Sequence, residues 1–319
     1  MTDDNRVIDV SLVVMTYNRK ESLGRCLESV TRIKNEEITF EVIVVDDGSE
    51  TDNLSVIDQF KDSLAIRYYK KVHEGVASTR NFGLGKSRGN LVGFIADDYS
   101  LPDSYLPDVI EFFENYPEAM VITHNIRPTG PSVFRYVQSL YFQMTLLQRV
   151  NERDLKKDVV KSFDLPPSRG AVFRREIFET LGNFNEDFLT GEDGEFGMRM
   201  TSRGIPVYFF RNKFIDHWEN KGLAGYLKQR TSYGRSYFRA LKSRDPFGMG
   251  KQSSMSVFHS TFERYRLWLR LSSILDRSTE YILLTPFIVL FLICFYGGFH
   301  LESVKAVTDA EPAESGSGN

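Results

Sequence analysis

Leu91-Val92-Gly93-Phe94-Ile95-Ala96-Asp97-Asp98-Tyr99-Ser100-Leu101-Pro102 is the stretch around which this chain is organised. Its left half, Leu91 to Ile95, is short, apolar and β-prone, the pattern of a buried strand. Two carboxylates then arrive together at the strand's C-terminal end, ahead of a proline and a helical pattern. In open α/β sheets, ligands bind at that end of the strands. Adjacent Asp side chains repel each other, so they are most at ease in water or beside a cation. The plain alternative is a solvated turn with Asp as turn former.

Upstream, the same arrangement repeats. Val10 to Met15 reads as a buried strand ending in Thr16-Tyr17-Asn18, followed by a helix with Leu23, Cys26, Leu27 and Val30 on one face. Phe40 to Val45 is a second strand, and it too stops at paired acids, Asp46-Asp47-Gly48-Ser49. Ile66 to Tyr69 forms a third strand, and Gly75 to Ser87 a helix carrying Arg80 and Asn81. Strands alternating with helices at this spacing predict a largely parallel sheet with both faces covered. The strands' C-terminal ends then share one edge, and that edge collects Thr16, Asp47, Asp97 and Asp98. Gly85-Lys86-Ser87 lacks the glycine five positions earlier that a P-loop needs, because Arg80 stands there. No G-x-G-x-x-G turn follows the first strand, which leaves a dinucleotide-binding Rossmann site unsupported.

Downstream, a helix is expected around Tyr105 to Phe113 and a strand at Ala119 to Thr123. Phe134 to Val150 is an amphipathic segment compatible with a helix. Ala171 to Phe173 reads as a strand and Arg174 to Leu181 as a short helix. Phe196 to Ser202 is a helix with Glu192 and Asp193 at its N-terminus, where the helix dipole favours ionised carboxylates. Pro206 to Phe210 is a strand, and His217-Trp218 follow. An N-cap role for Asp193 and a structural role for His217 are the local alternatives.

Composition narrows the class. The 319 residues are 41% hydrophobic with a formal charge of −3, which argues against general nucleic-acid binding. Cys26 and Cys294 are the only cysteines, so neither a disulfide framework nor a cysteine metal site is indicated. Met1 to Asn5 is polar, unlike a secretory signal. The uncharged run Tyr281 to Phe299 approaches the roughly 20 apolar residues needed to span a bilayer, with aromatic ends and Pro286 inside. Ahead of it, Lys221 to Arg277 holds 12 Lys/Arg against 3 Asp/Glu. The positive-inside rule therefore predicts a single-pass protein with its large N-terminal part on the cytoplasmic side, touching membrane lipids.

The ordered set Val10–Asn18, Val44–Ser49, Gly75–Gly83, Phe94–Pro102, Gly170–Phe184, Gly191–Asp193 with Arg199, and His217 resembles the inverting family 2 glycosyltransferases of GT-A fold. The resemblance covers roughly residues 8 to 220. It implies a GT-A type α/β fold: a mostly parallel, Rossmann-like central sheet flanked by helices. The C-terminal run adds a hydrophobic transmembrane helix. The domain division that follows is a catalytic domain at 1–240, a basic juxtamembrane region at 241–279, a transmembrane helix at 280–301 and a disordered polar tail at 302–319.

By that resemblance, Thr16, Tyr17, Asn18 and Asp47 cradle the base and ribose of a nucleotide-sugar donor, Arg80 lies near the base or diphosphate, and Asp97 reaches the ribose. Asp98 and His217 bind a divalent metal, Mg²⁺ or Mn²⁺. Asp193 is the general base and Glu192 orients the acceptor. Many members carry a carboxylate where Ala96 stands, which shifts coordination toward His217 and the diphosphate. The Q-x-x-R-W signature of processive synthases is absent; Gln229-Arg230 and Tyr233-Gly234-Arg235 resemble the looser stretch of non-processive relatives. The implied function is transfer of a single sugar to the hydroxyl of a glycan or lipid-linked acceptor. The alternatives are a non-catalytic sugar-nucleotide-binding membrane protein, suggested by Ala96, and a sugar nucleotidyltransferase, which would want a Gly-rich basic loop where Thr16-Tyr17-Asn18-Arg19 stands.

Overall fold

The computed structural model describes residues 8–34, 37–132, 134–137, 157–163, 165–188, 190–244, 266 and 278–308. Most of the segment 134–150, most of the 241–279 region and the tail beyond 308 lie outside the described residues. The chain divides into two compact units, Met1–Arg135 with Thr145–Asn220, and Tyr136–Met144 with Lys221–Asn319.

The first unit is built on one mixed sheet. Its nucleus is β1 (Val10–Thr16), β2 (Phe40–Asp46), β3 (Ile66–Lys70) and β4 (Leu91–Ala96), which pair in parallel in the order β3-β2-β1-β4. Largely apolar runs such as Val-Ser-Leu-Val-Val-Met-Thr suit strands covered on both faces, and every residue of β1 but Met15 is buried. Helix α1 (Lys20–Thr31) covers one face with Leu23, Cys26, Leu27 and Val30, as their spacing predicts. A one-turn helix, α2 (Leu54–Ile57), connects β2 to β3.

Helix α3 (Val76–Lys86) packs through small residues, and Gly83 is its closest point: a Cβ there would stand 2.2 Å from Val13 Cγ1. The chain runs outward from β1 to β3, then crosses back through α3 to β4 on β1's other side. That reversal makes the C-terminal ends of β1 and β4 the crevice where α/β sheets take ligands.

Beyond β4 the sheet becomes mixed. A two-residue strand, β5 (Tyr99–Ser100), precedes α4 (Tyr105–Asn115) and β6 (Val121–Thr129). Next come β7 (Val159–Ser162), β8 (Val172–Arg174), α5 (Glu176–Leu181), α6 (Glu192–Ser202) and β9 (Val207–Trp218). β8 runs antiparallel to both β4 and β6, β9 runs parallel to β6, and β5 and β7 pair antiparallel with β9. The sheet is thus parallel in its first half and in the β6–β9 pair, with antiparallel joints around them. β9 continues eight residues past the apolar Pro206–Phe210 run. α6 begins four residues before Phe196, so Glu192 and Asp193 lie in its first turn.

The second unit contributes α7 (Leu223–Arg244) and α8 (Ser278–Thr308). Among the described residues α8 is the one helix long and apolar enough to cross a membrane, over Leu283–Ala306.

Candidate active site

The Asp97-Asp98 pair occupies the turn between β4 and β5. β5 places its neighbours: Tyr99 pairs with His217 and Ser100 with Asp216 across the β5–β9 joint, and the Trp218 N–H donates to the Asp98 carbonyl at 2.8 Å. That register sets His217 Nε2 3.5 Å from Asp98 Oδ2. The other ring nitrogen lies 3.2 Å from Glu219 Oε1, so a buried carboxylate orients the imidazole from behind.

The two aspartates are not equivalent. Asp97 is buried, accepts a hydrogen bond from Thr16 Oγ1 at 2.8 Å, and is pushed up to about 6, chiefly by burial; Arg19 pulls against that and Asp98 adds to it. Asp98 is the more accessible of the two. Arg19 Nη1 sits between them, 3.0 Å from Asp97 Oδ1 and 2.6 Å from Asp98 Oδ2. Arg19 follows directly on the Thr16-Tyr17-Asn18 end of β1, a position that makes its reach to β4 intelligible, yet no periodicity marks it.

The end of β1 is tied to the end of β2. Asn18 has a left-handed φ of 53°, which Asn tolerates; its N–H donates to Ser49 Oγ and its Oδ1 accepts from the Glu50 N–H. Asp46 is fully buried and accepts from Ser49 N, Asn53 Nδ2 and Tyr68 Oη, a structural anchor for the loop. Asp47 accepts from Lys71 Nζ at 2.8 Å and from the Glu74 and Gly75 N–H groups, and His73 Nδ1 stands 2.8 Å from its Oδ2. Burial raises its pKa, but the bonds from Lys71 and the two amides outweigh it and hold the carboxyl below the usual range. The exposed rings of Tyr17 and His73 stack at 4.2 Å, forming an aromatic ledge beside it.

Arg80 and Glu192, expected from the sequence as donor and acceptor contacts, lie together. Arg80 Nη2 is 3.3 Å from Glu192 Oε1, and its guanidinium lies over Phe184 and Phe94 at 5.0 and 5.7 Å. Both side chains are nearly buried, and burial raises the Glu192 pKa, with Arg80 opposing and Asp193 reinforcing the shift. The pair fastens the N-terminus of α6 to α3. Asn81 does the same for the preceding loop, donating to the Phe184 carbonyl and accepting from the Phe184 N–H. Asp193, one residue on, is half-buried in the first turn of α6, after Gly191 with φ 85°, and accepts from the Gly194 N–H at 2.7 Å. Lys71, His73, Arg19 and Glu219, which contact the candidate residues Asp47, Asp97, Asp98 and His217, are marked by no sequence motif.

Among the described residues no three His, Cys, Asp or Glu side chains are grouped to hold a metal ion. The donor set nevertheless fits a divalent cation shared with a ligand. Asp98 and His217 offer an oxygen and an oriented nitrogen, and a guanidinium cation already bridges the carboxylates. Mg²⁺ and Mn²⁺ are held by few protein groups when phosphate oxygens supply the rest.

The family model for glycosyl transferase family 2 matches residues 11–182. Over 203 residues the chain is 26% identical to glycosyltransferase AglE of Haloferax volcanii, covering 63% of this chain and 64% of that protein. The chain spans between 24% and 64% of the length of the first curated relatives it matches. The mannosyltransferase PcManGT from Pyrobaculum calidifontis, solved with GDP-Man and Mn²⁺, superposes with a TM-score of 0.64 at 17% identity, covering 96% of this chain and 89% of that one. S. aureus TarS 1–349 with UDP-GlcNAc superposes with a TM-score of 0.53 at 15% identity, covering 95% and 92%. The family model covers more than half of this chain and the solved structures share its fold: the chain belongs to glycosyl transferase family 2 and has the GT-A fold.

Proposed function

We propose that the protein is a metal-dependent inverting glycosyltransferase that moves one sugar from a nucleotide-diphosphate sugar to an acceptor hydroxyl. The observation that carries this reading is the meeting of Asp98 and His217 across the β5–β9 pair, with Glu219 orienting the imidazole. Asp98 and His217 hold Mg²⁺ or Mn²⁺, which when bound neutralises charge on the leaving diphosphate. Thr16, Tyr17, Asn18 and Asp47 serve the nucleoside, with Tyr17 and His73 offering flat surfaces to a base. Asp97, held by Thr16, contributes through the oxygen that Arg19 grips in this structure. Glu192 and Arg80 fix the α6 N-terminus, so that Asp193 meets the acceptor from a rigid first turn.

In the transfer, the acceptor oxygen attacks the anomeric carbon and gives its proton to the Asp193 carboxylate. The bond from that carbon to the diphosphate oxygen breaks on the opposite face, and its electron pair leaves with the nucleoside diphosphate.

Attachment to a membrane through the second unit, with the catalytic unit on the cytoplasmic side, suits an acceptor that is a lipid-linked or cell-envelope glycan. Screening nucleotide sugars for transfer with Mn²⁺ present tests the activity. Asp193→Asn is expected to retain donor and Mn²⁺ binding while lowering turnover by a factor of about 10² or more. Near-normal turnover in that variant removes Asp193 as the base.

A further inference from the structure

We propose that α7 and α8 lie together in the plane of an anionic bilayer surface and that α8 does not cross the membrane. The inference rests on the membrane attachment put forward above and concerns how that attachment is made. By length and composition alone, α8 reads as a span. Its partnership with α7 argues otherwise.

The two helices run side by side in the same direction. Tyr226 stacks on Phe291 at 5.9 Å, Phe238 meets the edge of Phe299 at 5.2 Å, and Arg239 Nε lies 2.7 Å from Glu302 Oε1. Contact reaches the backbone. A Cβ on Gly234 would fall 1.8 Å from the Phe295 carbonyl oxygen, and one on Gly298 2.0 Å from that of Thr231. Two glycines, each against the other helix's main chain, lock the pairing. α7 thus accompanies α8 from Phe291 to Glu302, leaving only the eight residues Leu283–Leu290 of the apolar run ahead of it. At 1.5 Å per residue those eight cover about 12 Å, against a hydrocarbon core of about 30 Å. A crossing α8 would draw Lys228, Arg230 and Arg235 of α7 into that core, where each charge is strongly disfavoured.

An interfacial position removes the conflict. α7 exposes Lys228, Arg235 and Lys242, which recur every seven residues and so share one face. Its buried Arg230 lays its guanidinium over the rings of Tyr233 and Phe291, at 5.3 and 5.5 Å. α8 exposes Leu283, Ile293 and Leu301. A basic helix joined to an apolar one matches the phosphate headgroups and adjoining acyl chains of an anionic leaflet.

The test uses the full chain with Cys294→Ala, carrying either Ser315→Cys in the tail or Asp62→Cys on the catalytic unit, in membrane vesicles with the cytoplasmic face outward. Both cysteines are expected to react with a membrane-impermeant maleimide without detergent. Labelling of Ser315→Cys only after detergent means that α8 crosses, and overturns the proposal while sparing membrane attachment. A chain that does not sediment with the vesicles overturns both. In parallel, Lys228→Gln/Arg235→Gln/Lys242→Gln is expected to weaken partition onto phosphatidylglycerol-containing vesicles by about a hundred-fold while leaving binding to neutral phosphatidylcholine unchanged. Equal binding of the triple variant and the parent to both vesicle types refutes the basic face.

Discussion

Arg19→Met is expected to tighten Mn²⁺ binding to the nucleotide-free protein. In the structure a cation approaching Asp98 must displace a guanidinium that already touches Asp97 Oδ1 at 3.0 Å and Asp98 Oδ2 at 2.6 Å. Hydrogen bonds to charged groups contribute about 1.5–3 kcal/mol when well shielded. Arg19 is 52% exposed, so solvent screening reduces the pair to about 1–1.5 kcal/mol, roughly a five- to ten-fold effect on affinity. Asp97 complicates the measurement. Its pKa stands near 6 with Arg19 pulling it down, so removing Arg19 lifts it further and lets protons compete with the metal near neutrality. Titrating Mn²⁺ by its electron paramagnetic resonance signal at pH 8 avoids that competition. With a nucleoside diphosphate present the gain should shrink, because the displaced guanidinium then has phosphate oxygens to hold. Unchanged or weaker Mn²⁺ affinity in nucleotide-free Arg19→Met would show that the arginine does not guard the carboxylates.

Glu219→Gln should lower Mn²⁺ affinity by about ten- to a hundred-fold with the fold intact, because it releases the His217 ring from its orienting carboxylate; calorimetric titration reads this directly. Arg80→Met strips Glu192 of its charged partner and should cost about 3 kcal/mol or more of stability at pH 8. Glu192 has a folded pKa raised above the unfolded value, so its unfavourable contribution grows as pH rises through that window. Urea unfolding should therefore show a larger gap between Arg80→Met and the parent at pH 8 than at pH 5. Asp46→Ala leaves Ser49 N, Asn53 Nδ2 and Tyr68 Oη without their acceptor, for a loss of about 2–4 kcal/mol in denaturant unfolding. Asp46 and Asp47 are both held below the usual carboxylate range, so the stability they supply is present above about pH 4 and fades as pH falls below it.

The parallel half of the sheet is legible in the sequence because strands covered on both faces must be largely apolar, and Val10–Met15, Phe40–Val45 and Leu91–Ile95 are, with Ser11 and Glu41 the two polar exceptions, hydrogen-bonded to each other. The polar ends are legible for the same reason: Thr16-Tyr17-Asn18 after the first run, and the carboxylates Asp46-Asp47 and Asp97-Asp98 after the other two. In β9 the apolar pattern stops at Phe210, because the second half, Arg211 to Trp218, is largely exposed except for Ile215, so pairing with β6 and β5 rather than burial sets its conformation. β5 has two residues, too few for any pattern, yet its register with β9 is what delivers His217 to Asp98. Glu192 shows a different limit. Its place in the first turn of α6 follows from sequence, but whether that turn faces the acceptor or α3 depends on how α6 docks. Arg80, more than a hundred residues earlier, is the group it meets.

Four acidic side chains crowd the C-terminal edge of the parallel strands, and their partners divide the work among them. Asp46 uses its acceptors on Ser49, Asn53 and Tyr68, and can offer a ligand nothing without loosening the loop. Asp47 is nearly as fully occupied: Lys71, His73 and two amides take up the roughly four acceptor positions of a carboxylate. A nucleobase or ribose donor can reach it most cheaply by displacing His73, the exposed member of that set, from its stack on Tyr17. Asp97 is buried and held by Thr16 on one oxygen and Arg19 on the other. Asp98 is more open, and Arg19 and the ring of His217, which lie against it, are both groups that a phosphate-bound cation can replace or share. On the proposed reading the chemistry narrows from an acidic edge to one carboxylate and one imidazole, and donor binding is expected to displace two side chains, His73 and Arg19, with which Asp47, Asp97 and Asp98 are paired in this structure.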